Sequence, residues 1–169
     1  MNSSIIELGT IEGRGSGAKR VNKTIFLVDD DAAVHCAFAS VLGASGYSVK
    51  SFPSAESFLE EADGALEGVI LLDQCMSGMS GIELHSELTK RDIDLPTIFI
   101  TGYGDVQTSV KAIKNGAMDF LEKPVSNEAL LASINEAFLL LNGHKKYRSS
   151  VAEMNRLCLL LAEIGSSAS

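Results

Sequence analysis

Apolar runs in this sequence stop at residues able to do chemistry. "TIFLV" (24–28) runs into Asp29-Asp30-Asp31, and "GVILL" (68–72) runs into Asp73. "TIFI" (97–100) ends at Thr101-Gly102, and "MDFLEK" (118–123) ends at Lys123-Pro124. Singly, each is ordinary. Asp favours turns and caps, and Lys before Pro is a common exposed end. Asp73 alone is open to three readings: strand terminator, metal ligand or nucleophile. Gathered at one place, the residues mean more. Three carboxylates within a few ångströms repel and want a divalent cation, and oxygen ligands with room for water suit Mg²⁺. A carboxylate can take a phosphoryl group as an acyl phosphate. Such transfers are catalysed mostly by positioning and charge stabilisation. A lysine ammonium is a compact positive charge for a phosphoryl oxygen, and a threonine hydroxyl can donate to another.

The elements decide whether these residues meet. After Asp31, Val34, Phe38, Val41 and Leu42 recur at helical spacing until Gly43 and Gly46. "YSVKSF" (47–52) alternates like a strand, and Pro53-Ser54 opens a helix with Phe58, Leu59 and Ala62. "GVILLD" (68–73) is the third strand, followed by a helix with Ile82, Leu84 and Leu88. Strand "TIFI" precedes a helix with Val106, Val110 and Ile113, expected to be mostly core. Strand 118–123 precedes a helix with Leu130, Ile134, Phe138 and Leu141. Near-continuously apolar strands alternating with helices predict a parallel sheet covered on both faces. The fold class is α/β, doubly wound and flavodoxin-like, with five strands. In such folds the carboxyl ends of the strands converge on one crevice.

The totals narrow the function. A chain of 169 residues suits one domain plus tails. A net charge of −8 argues against non-specific attraction to nucleic acid or anionic membrane. No apolar run approaches membrane-spanning length, and no secretory leader is present, so a cytoplasmic location is expected. Cys36, Cys75 and Cys158 lack metal-ligand or disulfide-scaffold spacing and are expected to be reduced. His35 and His85 lie on helical patterns and read as surface or packing residues. Residues 1–22 read as a flexible tail; Ile11-Glu12-Gly13-Arg14 before Gly-Ser-Gly is similar to an engineered protease site and linker, with a native arm as the alternative.

Four segments, "IFLVDDD", "VILLDQCMSGMSG", "IFITGYGDV" and "GAMDFLEKPV", together resemble the receiver domains of two-component response regulators, most closely the FixJ-like subgroup of the FixJ/NarL type. The resemblance covers residues 23–142 and implies the (βα)5 receiver fold with strand order 2-1-3-4-5. It implies that Asp73 is the phosphoacceptor, that Asp30 binds Mg²⁺ directly and Asp29 through water, and that the backbone carbonyl of Cys75 completes the protein ligands. Thr101 would hydrogen-bond the phosphoryl group, and Lys123 would pair with it across a cis Lys123-Pro124 bond. Phe120 occupies the place of the aromatic switch residue. Cys75 and Tyr103, two beyond Asp73 and Thr101, would tune phosphate lifetime. The implied partner is a sensor histidine kinase, with homodimerisation through the fourth helix and fifth strand or through the C-terminal helix, and the implied output is transcription control.

Departures from that pattern carry their own expectations. Ser77 stands where the family usually has Pro, and should loosen the loop because Ser does not fix φ. Residues 143–169 are too few and insufficiently basic for a complete DNA-reading output domain. Within them His144, Tyr147, Val151, Met154, Cys158 and Leu161 repeat at 3,4 spacing. That repeat predicts a linker helix folded back on the domain, or a short coiled-coil contact, ahead of a disordered "GSSAS". Two rival functions remain. Asp29-x-Asp31 also opens haloacid-dehalogenase-type phosphatases, although no acidic pair follows Lys123 at a strand end. An inactive pseudo-receiver would keep the fold without the chemistry.

Overall fold

A computed structural model of the chain describes residues 23–102 and 106–166. Five strands alternate with five helices: β1 Thr24–Val28, α1 Ala32–Ala44, β2 Ser48–Phe52, α2 Ala55–Glu61, β3 Val69–Asp73, α3 Gly81–Lys90, β4 Thr97–Thr101, α4 Val106–Lys114, β5 Asp119–Glu122 and α5 Asn127–Ser166. All strand pairings are parallel, in the order β2-β1-β3-β4-β5. The fold class and strand order agree with the expectation, and strand ends differ by one residue at most.

Strand alternation divides the core between the two faces of the sheet. Phe26, Val28, Ile70, Leu72 and Phe99 point to one face, where they meet Phe58 of α2, Leu84 and Leu88 of α3 and Ala112 of α4. Ile25, Leu27, Val69, Leu71, Ile98 and Ile100 point to the other, against Leu42 of α1 and Leu130, Ile134 and Phe138 of α5. Every residue of β3 and β4 is buried. This is why both read as unbroken apolar runs rather than alternating ones.

Short polar residues start three of the helices. Asp31 caps α1 by accepting from the Ala33 N–H. Ser54 caps α2 and Ser80 caps α3, each in a reciprocal capping box, with Ser57 and Glu83. These caps fix where each helix leaves the carboxyl edge of the sheet, and so fix the loops around the site.

Two expectations fail. Val110 and Ile113 of α4 are 46% and 48% exposed; the small Ala112 faces the core instead. The side chain of Val106 lies outside the described residues. The segment after Asn142 does not fold back. It continues α5 through Gly143 as one helix of 40 residues, and every residue from Lys146 to Ser166 is exposed. Gly inside a helix costs only about 1 kcal/mol, and the good helix formers Leu139 to Leu141 precede it and Lys145 and Lys146 follow within one turn. Lys145 still ties α5 to the domain, 2.6 Å from Glu67. The tail 1–22 and residues 167–169, including most of the segment read as disordered, lie outside the described residues.

Candidate phosphoacceptor site

The carboxyl edge of the sheet gathers the residues that stood at the ends of the apolar runs. Parallel pairing makes this unavoidable: β1 and β3 run side by side with Val28 opposite Leu72, so Asp29 and Asp73 leave the sheet together. Oxygens of Asp29, Asp30 and Asp73 lie within 4.8 Å of one another. Asp29 and Asp73 are buried, at 2% and 5% exposure, whereas Asp30 is exposed. Lys123 reaches in from the end of β5. Its Nζ lies 3.2 Å from Asp29 Oδ2 and 3.3 Å from Asp73 Oδ1. The backbone holds Lys123 there, because its N–H donates to the Thr101 carbonyl at 2.7 Å. Thr101 itself is buried at the end of β4. The Lys123-Pro124 bond is cis.

Charge explains the electrostatics. Burial pushes the Asp73 carboxyl above its ordinary range, the neighbouring Asp29 charge adds to this, and Lys123 offsets part of it. Burial works against the Lys123 charge, but hydrogen bonding and attraction to Asp29, with help from Asp73, outweigh it and raise its pKa. The cluster is thus a buried carboxylate pair held by one cation, with a third carboxylate at the rim. Mg²⁺ binds oxygens at roughly 2.0–2.1 Å. Carboxylates grouped this closely can all reach one such ion, so the donor set fits it.

Further residues complete the site. Asp29 Oδ1 accepts from the Asp31 N–H at 2.8 Å, and the Asp29 carbonyl accepts from His35 Nε2 at 2.6 Å. Asp31 turns to the α1 terminus, so Asp29-x-Asp31 does not send two carboxylates into the crevice. Cys75 sits exposed in the loop after β3. Phe120 is partly buried on β5 and stacks on Phe99 at 6.3 Å between ring centroids. Tyr103 lies outside the described residues.

The loop after Asp73 differs from its expectation. Ser77 does not leave it loose. Its N–H and Oγ both donate to Asp30 Oδ2, at 3.0 and 3.3 Å. Glu56, at the start of α2, accepts the Met79 N–H at 3.0 Å. Its carboxyl is held below the ordinary range chiefly by backbone hydrogen bonds. Gly78 between them takes φ +89°, which a side chain would resist. Gly81 packs beneath the site: a Cβ there would come 2.6 Å from the Asp73 carbonyl oxygen. Sequence reading passed over Glu56 and Gly81, and had no spacing signal for either.

Comparison with known proteins gives the class. Residues 25–135 match the family described as "Response regulator receiver domain", and the chain belongs to that family. It is 39% identical over 117 residues to "Transcriptional regulatory protein TdiR" of Thauera aromatica, covering 69% of this chain and 52% of the relative. It is 41% identical over 114 residues to "Transcriptional regulatory protein FixJ" of Rhizobium meliloti (strain 1021), covering 68% and 56%. The solved structure of "Response Regulator StyR" superposes with a TM-score of 0.75 at 36% identity, over 81% of this chain and 69% of that one. The chain spans little more than half the length of these two curated relatives.

Proposed function

We propose that Asp73 accepts a phosphoryl group from a sensor histidine kinase, and that the acyl phosphate changes the α4-β5-α5 surface. The observation carrying this reading is Lys123 Nζ within 3.3 Å of both Asp29 and Asp73 at the carboxyl edge of the sheet. An Asp73 carboxylate oxygen attacks phosphorus in line. The bond from phosphorus to the donor imidazole nitrogen breaks, and the imidazole keeps the electron pair. Lys123 then holds one phosphoryl oxygen and Thr101 donates to another. Mg²⁺, held by Asp29, Asp30, Asp73 and the Cys75 carbonyl, would neutralise charge between the carboxylate and the phosphoryl oxygens. Phe120 moves inward as Thr101 shifts toward the phosphate, and Cys75 and Tyr103 set the access of hydrolytic water. Phosphotransfer and dephosphorylation are self-catalysed; no other turnover is assigned.

The receiver unit spans residues 23–142. Exposed Val110 and Ile113 on α4 support the α4-β5 face as a surface that phosphorylation alters, for contact with a second copy. Transcription control in the whole regulator is part of the proposal, supported by relatives named as transcriptional regulatory proteins. A cytoplasmic location goes with it; no described helix is long and apolar enough to cross a membrane.

Intact mass spectrometry after acetyl phosphate and Mg²⁺ tests the reading. One phosphoryl adduct is expected, lost with EDTA and lost in Asp73→Asn. No adduct on the unsubstituted chain would replace this reading with an inactive pseudo-receiver. Turnover of a phosphate ester that survives Asp73→Asn would replace it with a phosphatase.

A further inference from the structure

Among the described residues, nothing covers the projecting part of α5. Residues 146–166 extend about 30 Å at 1.5 Å per residue. Along them Tyr147 is 73% exposed, Met154 62%, Leu161 68% and Ile164 68%. In proteins most helical stability comes from packing an apolar face rather than from propensity. Toward its tip Leu157, Leu161 and Ile164, on this stripe or beside it, are all exposed, an apolar helix face with no cover among the described residues; Leu159 and Leu160 lie off that face.

We propose that residues 144–166 pair with the same residues of a second copy as a parallel, in-register two-helix seam. His144, Tyr147, Val151, Met154, Cys158 and Leu161 would each meet their own counterpart. Their spacing alternates three and four, the repeat that keeps one face of a helix on its partner. The stripe begins on the domain itself, where Leu140 is 46% exposed.

Charge and polarity specify both the occupant and the direction. Lys145, Lys146, Glu153, Arg156 and Glu163 all lie off the stripe and its two flanks. Arg148 alone flanks it, and in the parallel register it faces Gly143 of the second copy, so no like charges meet across the seam. The segment is charged at its base, around Lys145 and Arg148, and apolar at its tip. Antiparallel pairing would set each apolar tip against the other copy's charged base. Parallel pairing puts tip on tip, with two-fold symmetry. The inference does not rest on the phosphoacceptor reading.

Sedimentation of the full chain at micromolar concentrations, without phosphoryl donor, is expected to show a dimer. The double substitution Met154→Lys/Leu161→Lys is expected to give a monomer that keeps the melting transition of the receiver and its adduct with acetyl phosphate. A short bis-maleimide is expected to join Cys158 to Cys158 of the other copy, located by peptide mass spectrometry. A monomeric parent chain, or a dimer that survives both lysines, would overturn the seam. A dimer without the Cys158 linkage would overturn the parallel register. If the seam fails and Asp73 still takes a phosphoryl group, the phosphoacceptor reading stands; if only the adduct fails, the seam stands.

Discussion

Ser77 shows how a single residue can reverse the reading of its own loop. Judged by backbone freedom, Ser in place of Pro loosens the chain. Judged by hydrogen bonding, it ties the chain down, because Pro has no N–H and Ser77 spends its N–H and hydroxyl on Asp30 Oδ2. That carboxylate belongs to the proposed metal set, so the two uses compete. Ser77→Pro removes both hydrogen bonds and is expected to tighten Mg²⁺ binding by at least roughly tenfold, since a single hydrogen bond to a charged group is worth about that. Titration calorimetry measures this; weaker binding would instead make Ser77 the residue that orients Asp30. Sequence made Asp29, Asp30, Asp73, Thr101 and Lys123 legible because each ends an apolar run. It did not reveal Ser77 as a partner of Asp30, since 47 residues separate them and no motif spacing records such a contact.

At the scale of elements, the strands were easier to read than the helices. A strand buried on both faces is apolar throughout, as β3 and β4 are. A helix shows an apolar stripe without saying what covers it. Val110 and Ile113 therefore read as core and lie at the surface, while Ala112 fills the tight space over the sheet. His85 of α3 takes the packing role of the two expected for it, in the core. It stands edge-on to Phe99 at 5.7 Å. Burial depresses its pKa below the ordinary 6.5, and the charge of Asp94 offsets only part of that. The unfolded chain takes up a proton that folded His85 refuses. Its contribution to stability is complete above pH 6.5 and falls away as pH drops from there toward the depressed folded value. Between about pH 7 and pH 5.5 the melting temperature of the parent chain is expected to drop further than that of His85→Leu. Scanning calorimetry at both pH values measures the difference, and equal slopes would count against a neutral buried imidazole.

For the whole molecule, Gly143 was the obvious place to end the domain, and the backbone ignores it. Gly breaks a helix only when nothing on either side holds it. Here Leu130, Ile134 and Phe138 anchor one side to the sheet, and the proposed seam would hold the other. A chain stopped after Arg148 is expected to keep the receiver fold and the adduct on Asp73. Its melting temperature should be independent of protein concentration, whereas that of the full chain should rise with concentration, as association requires. The same behaviour in both chains would place any self-association on the receiver. Continuity of α5 has a further consequence, one of angle. No joint separates the anchored turns from the projecting ones, so the packing of Leu130, Ile134 and Phe138 sets the compass bearing of Val151 and Leu161 around the helix axis. Inserting one residue after Gly143 would swing that bearing by about 100°; inserting seven would return it to within about 20°. The receiver and the projecting half of α5 are therefore held in rotational phase.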